Sequence, residues 1–237
     1  MKKFVRVAMV TLLATMVMLT VAQSRQGFGG GFAFGGGPAG LVNSKSVMAD
    51  IKATEEQVEK LKEWAKEYQK ESLEFFRGLK DMSKEDIVEK ANARTADAWK
   101  AVGKVLKEDQ VKRLKQIELQ VAGVGAFMRP DVAEGLKITD DQKGKMRESM
   151  GDMFKDMAAL REEFGIKGFG GAKLEADKQK EYDKKAAKLN KEVMDAMAGA
   201  LTDDQKKKWK EMTGDPIDVQ KVQSESRPNF GNFKKKD

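Results

Sequence analysis

Two stripes of inward-facing residues, set 85 positions apart in one register, constrain this chain more than any other feature. Val58, Leu61, Ala65, Tyr68, Ser72, Phe75 and Leu79 follow one another at alternating steps of three and four, which places them on one face of a helix. Met146, Met150, Met153, Met157, Leu160 and Phe164 repeat the pattern, each 85 positions after its counterpart, as Met146 is after Leu61. Any two amphipathic helices share a period, but these also share their flanks. Val47-(x)3-Ile51-Lys52-Ala53-Thr54-(x)2-Gln57 recurs at the same offset as Val132-(x)3-Leu136-Lys137-Ile138-Thr139-(x)2-Gln142. The chain is an internal duplication.

The second halves of the repeats match at an offset of 95. Leu106-Lys-Glu-Asp-Gln110 corresponds to Leu201-Thr-Asp-Asp-Gln205, with Leu114 opposite Trp209 and Ile117 opposite Met212. The glycine-rich stretch Gly165–Leu174 supplies the extra residues, where the first repeat has a tighter Gly78–Ser83 turn. Each repeat therefore reads as a short lead-in helix, two long helices forming a hairpin, and a closing helix. Helices of about 24 residues would be ~36 Å long. Arg129-Pro130-Asp131 opens the second lead-in helix, with Pro130 suited to its first turn. The expected fold is all-α, with a first unit over 43–125 and a second over 126–213.

Thr54-Glu-Glu-Gln57, Thr139-Asp-Asp-Gln142 and Thr202-Asp-Asp-Gln205 have the form of a capping box. The threonine accepts from the N3 backbone N–H, and the glutamine reaches back to the N-cap N–H. The two acids between them sit where the helix dipole favours negative charge. Lys107-Glu-Asp-Gln110 lacks the hydroxyl and is the weakest of the four starts, while Ser83-Lys-Glu-Asp86 is a looser cap. The paired acids could instead hold a metal or act as acid and base, but capping accounts for threonine, acids and glutamine together. No Asp-x-Asp-x-Asp-Gly loop is present. Thr54, Gln57, Gln110, Thr139, Gln142, Thr202 and Gln205 are thus architectural.

Outside the repeats the composition changes. Lys2, Lys3 and Arg6 precede an uncharged run from Val7 to Val21, and Thr20-Val21-Ala22 offers a small-x-small cleavage pattern. The run is short for a membrane span, which needs about 20 residues. Residues 1–22 are expected to be a cleavable signal peptide without a lipobox cysteine, which predicts a periplasmic or secreted protein with no later span. Residues 23–42, rich in glycine and carrying Phe28, Phe32 and Phe34, are expected to form a disordered arm. Residues 214–237, polar and ending in a lysine run, are expected to form a disordered basic tail.

Loss of Lys2, Lys3 and Arg6 lowers the net charge from +7 to +4, and the remaining charges are interspersed along helix faces. A nucleic-acid binder would cluster them in a stripe, so nucleic acid is not an expected partner. The chain has no cysteine and no histidine. Disulfides are impossible, and the commonest transition-metal ligand and neutral-pH proton shuttle are missing. No cofactor, metal site or catalytic residue is expected, and the chain does not read as an enzyme.

The Leu-Thr-x-x-Gln spacing at 201–205, with variants at 53–57, 106–110 and 138–142, resembles the LTxxQ motif of the Spy/CpxP family of exported bacterial proteins. The likeness covers about residues 43–213. Gly125-Ala-Phe-Met-Arg-Pro-Asp-Val-Ala133 also looks like repeat-containing members from planctomycete-type bacteria. The resemblance implies a long α-helical hairpin that pairs into a homodimer, with ATP-independent chaperone activity, envelope-stress regulation or, in one branch, metal sensing. Family members usually carry two motifs and this chain carries four, which implies a pseudo-dimer in one chain, either monomeric or further dimerised. The metal-sensing branch uses histidine ligands, which are absent here.

Two functional classes follow. A chaperone-like protein would bind unfolded or misassembled envelope proteins, with Met146, Met150, Met153, Met157, Phe28, Phe32 and Phe34 as candidate client contacts; methionine is flexible enough to suit varied apolar partners. The same methionines also fit the plain role of filling a hairpin core. Alternatively, a structural or regulatory protein would bind one specific envelope partner through a helix face.

Overall fold

The computed structural model describes residues 37–166 and 174–226 (of Lys84, the backbone alone). The expected signal peptide, Phe28, Phe32 and Phe34, most of the glycine-rich stretch after Gly165, and the last eleven residues of the expected tail lie outside the described residues. Within them the chain is helical without strands.

The first repeat comprises α1 (Pro38–Leu41), the lead-in helix α2 (Lys45–Asp50), the hairpin helices α3 (Glu55–Gly78) and α4 (Lys84–Gly103), and the closing helix α5 (Glu108–Ala122). After a 3-10 turn over Gly123–Met128, the second repeat has the lead-in helix α6 (Pro130–Gly135), hairpin helices α7 (Asp140–Glu163) and α8 (Ala176–Gly199), and closing helix α9 (Asp203–Thr213). A final helix, α10 (Val219–Ser226), follows. The helix plan of the duplication is the one observed.

Two compact units form, divided at a different place from the repeats. The first contains the described residues up to Lys107 with residues 224–226, and the second runs Glu108–Gln223. The sequence boundary at 125/126 is therefore corrected: α5, the closing helix of the first repeat, belongs to the second unit. The cause is polar as much as apolar. Gln116 Nε2 donates to Glu211 O at 3.2 Å, Gln120 Nε2 to Thr213 O at 2.7 Å, and Arg113 to Asp215 O at 2.8 Å. Ile217 N in turn donates to Gln120 Oε1 at 2.9 Å. The bonds to Glu211 and Thr213 satisfy carbonyls at the end of α9 that its own helix leaves unpaired. The two closing helices pack together, whichever repeat each came from.

Two stretches expected to be disordered are ordered in part. In the arm, Pro38 supplies a fixed φ at the first turn of α1, and Leu41 and Val42 are buried. In the tail, Asp218 Oδ1 accepts from Lys221 N at 3.0 Å and so starts α10, where Val222 is fully buried. Farther along α10, Glu225 accepts from Ser44 Oγ at 2.6 Å, Ser46 N at 2.9 Å and Ser46 Oγ at 3.0 Å. A carboxylate there answers the open Ser46 N–H and two serine hydroxyls at the start of α2.

The hairpins differ in filling. In the first unit Leu61, Ala65, Ala98 and Val102 are buried, but Arg94 of α4 occupies the next layers of α3. Its guanidinium donates to the buried Ser72 Oγ at 2.8 Å and lies over the rings of Tyr68 and Phe75, 4.9 and 5.3 Å from their centroids. At the corresponding places the second unit has Met153, Met157 and Leu160, and its two long helices lie in closer contact along their length. An arginine and aromatic rings need more room than unbranched methionines.

Both lead-in helices end alike. Lys52 N donates to Ala49 O and Ala53 N to Met48 O; Lys137 N donates to Glu134 O and Ile138 N to Ala133 O. This is the Schellman arrangement, and it needs a left-handed residue at its turn, usually glycine. Here lysine takes it twice, each at φ 52°. A left-handed conformation costs a residue with a Cβ roughly 1–2 kcal/mol. Lys137→Gly should therefore raise stability, by about 0.5–1 kcal/mol after the extra freedom of the unfolded glycine is counted. Urea denaturation checks this, and a loss of stability would show that the lysine side chain contributes more than its backbone costs.

Candidate functional site

Two of the four motifs meet at one junction in the second unit. Ile138 and Leu201, the apolar residues ahead of the two threonines in the second unit, are buried in a core with Phe127, Val132, Leu136 and Met197. Each anchors its cap. Thr139 Oγ1 accepts from Gln142 N at 3.2 Å and Gln142 Oε1 accepts from Thr139 N at 3.0 Å. Thr202 and Gln205 repeat this at 3.3 and 2.9 Å. Both are complete capping boxes, as is Thr54–Gln57.

The glutamines then go beyond capping. Gln142 Nε2 donates to Gln205 Oε1 at 2.7 Å, and Gln205 Nε2 donates back to Gln142 Oε1 at 3.0 Å. Gln142 Nε2 also donates to Ala200 O at 2.8 Å, and Gln205 Nε2 to Leu136 O at 3.0 Å and Lys137 O at 3.3 Å. A primary amide has two donor hydrogens and two acceptor sites. Gln142 uses all four. The left-handed turn at Lys137 supplies two of the carbonyls that Gln205 binds. In the first unit Gln57 Nε2 donates to Val105 O at 3.0 Å, and Val105 precedes Leu106 as Ala200 precedes Leu201. Gln110 is buried in the first turn of α5. In the second unit the two motif glutamines are thus brought together, as a fastener between the starts of α7 and α9. The acids beside them, Asp140 and Asp203, point outward and are almost fully exposed.

The methionines expected to be candidate client contacts are placed otherwise. Met146, Met150 and Met153 are 2, 8 and 8 % exposed and belong to the core of the second unit, with Met157 half-buried against it. Their stripe faces α8; Met150, Met153 and Met157 are taken up in that packing, and Met146 also lies at the floor of a surface groove beside α6.

Sequence reasoning missed a buried ion pair. Glu118 of α5, its side chain 9 % exposed, meets Arg129 at 2.9 Å. Arg129 also grips Asp131 with two bonds, at 3.0 and 2.7 Å. Burial pushes the Glu118 carboxyl above its usual range, against the pull of Arg129. Burial also opposes the charge on Arg129, but Asp131 and Glu118 outweigh it and hold the guanidinium firmly protonated. The hydrogen bonds from Arg129 keep Asp131 below the usual carboxylate range. A signal existed: Glu118 falls four residues after Leu114, on the apolar face of its helix.

Also missed was a surface groove of about 590 Å³ between the Gly123–Met128 turn, α6 and the start of α7. Met128, 40 % exposed, and Pro130 stand at it, above buried Phe127, Ile138 and Met146. Lys137, Lys143, Arg147 and Glu134 line it as well. Among the described residues no group of three or more acids could hold a metal, and no helix is long and apolar enough to cross a membrane.

Helical hairpins begun by capping boxes and fastened through their glutamines define a class of helical protein. The family model described as LTXXQ motif family protein matches residues 125–213. That stretch carries the second repeat, from the turn before α6 to the end of α9, and its kinship with the LTXXQ family is shown. No curated protein and no solved structure matches the chain.

Arg129→Met should cost about 3 kcal/mol, since it leaves Glu118 buried without its counter-charge. The sign of the pH dependence follows from burial. A carboxyl whose folded pKa lies above its unfolded value loses stability as pH rises through the folded value. The variant's deficit should therefore be larger at about pH 8 than at about pH 5. Denaturation at both values checks this, and an equal deficit would contradict it.

Proposed function

We propose that the protein is an exported, ATP-independent, chaperone-like binder of unfolded or misassembled envelope proteins. One observation carries the reading: the family-matched unit buries its own methionine stripe yet leaves an apolar groove open beside Met128. A helical unit whose core is satisfied gains nothing by leaving a methionine open at a groove, whereas a binder of apolar segments does. The match to the LTXXQ family supports export, as does the charged, then apolar, leader-like start. The rest of the methionine stripe, Met150, Met153 and Met157, does not enter the reading, because it is taken up by the core.

The proposed activity is non-enzymatic. The chain has neither cysteine nor histidine, and the acids of its motifs serve at helix starts rather than converging on a reacting centre. Metal sensing is disfavoured for lack of imidazole or thiolate ligands.

The mature protein, without nucleotide, should slow the aggregation of a reduced or heat-unfolded client, followed by light scattering. Protection that rises with chaperone-to-client ratio is the expected result. No protection at several-fold molar excess overturns the reading, and recovery of a single stoichiometric partner from an envelope extract would favour a dedicated binding role instead.

A further inference from the structure

The groove beside α6 has a chemistry of its own. Its accessible apolar atoms come from Met128, Pro130 and the half-buried Ala133. Three cations line it, Lys137, Lys143 and Arg147, against the single carboxylate of Glu134. Lys143 is partly answered by Asp140 at 3.0 Å and remains 41 % exposed. Lys137 and Arg147 are exposed. The balance at the groove is positive.

A second observation extends the surface. Phe154 of α7 is 57 % exposed. It lies seven residues after Arg147, two turns along the same face and roughly 10 Å farther down the helix axis. That ring lies outside the core of the unit, on a helix whose inward stripe is already filled by Met146, Met150 and Met153. Groove, arginine and ring therefore form one strip: apolar, cationic, apolar.

From this complementarity we infer that the strip binds extended protein segments in which an Asp or Glu is flanked by large apolar residues. The apolar side chains sit at Met128 and Phe154, and the carboxylate lies against Arg147. The arginine is suited to this, since its planar fork bonds a carboxylate through two parallel hydrogen bonds. A segment of the opposite charge would meet like-charge repulsion at the same place. The inference rests on the chaperone reading and adds to it a preference among clients.

The test uses the full mature chain and three short fluorescent peptides measured by anisotropy. One combines Leu and Phe with Asp, its twin has Lys for Asp, and the third keeps Asp but replaces the apolar residues with Ser. The first should bind at least about tenfold more tightly than either other peptide. Its advantage over the lysine twin should shrink as salt rises and disappear in Arg147→Glu. Met128→Ser should weaken both apolar peptides alike. Circular dichroism checks that the variants remain helical; should Met128→Ser unfold, the exposed Arg147→Glu still decides. Equal binding of the charged twins, or an unaltered preference in Arg147→Glu, overturns the inference. If the chain then still protects unfolded clients, the proposed function stands without this preference. If the peptides discriminate but no client is protected, the strip is a recognition site and the chaperone reading falls.

Discussion

The reciprocal bonds between the Gln142 and Gln205 side chains are the constraint on which the second unit depends. Each helix start exposes N–H groups that its own turn cannot satisfy, and each motif solves this locally with Thr and Gln. What is unusual is the second use of the amide. After capping α7, Gln142 still has donors to spend, and they go to Ala200 and Gln205. Gln205 shares its two hydrogens among Leu136, Lys137 and Gln142. The starts of α7 and α9 are thereby fixed to one another and to the ends of the elements before them. The left-handed lysine belongs to the same device, because its turn is what presents the Leu136 and Lys137 carbonyls. The apolar residue ahead of each threonine sets the depth, with Ile138 and Leu201 both in the core.

Around this fixed point the repeats have diverged. The first hairpin holds Arg94 among Tyr68, Ser72 and Phe75, a polar layer in which the buried hydroxyl and the guanidinium satisfy one another. The second fills the corresponding layers with methionine and leucine. The buried pair of Glu118 and Arg129 sits where α5 meets the turn before α6, and it ties a helix of the first repeat into the unit built from the second. Duplication supplied two similar parts list by list, but side chains on α5 and the end of α9 decided which helix went where.

How much of this was legible in the sequence depended on how local the cause is. The capping boxes were legible because Thr, Gln and the bonds between them lie within four residues. The stripes were legible because a helix imposes its period on whatever packs against it. Their meaning was less so: a methionine stripe suits a core or a client surface equally well until its partner helix is known, and here α8 covers it. Asp218 as the start of α10 was hidden in a polar stretch with only Val219 and Val222 to mark an inward face. The left-handed lysines were not legible, since nothing in a lysine announces a positive φ. Nor was the boundary at Lys107, because the Gln116 and Gln120 side chains find their acceptors 95 and 93 positions away. The groove escaped notice although its lining spans only residues 127–147, because the angles at which three short consecutive elements meet are set in the fold.

A double-mutant cycle on Gln142 and Gln205 tests the central claim most directly. Each glutamine is replaced by alanine singly and together, and unfolding free energies are measured by urea titration. Residues that share a hydrogen-bond network couple by roughly 0.5–3 kcal/mol, so the double variant should lose clearly less than the sum of the single losses. Losses that simply add would mean that each glutamine only caps its own helix, and the junction described here would not hold the unit together.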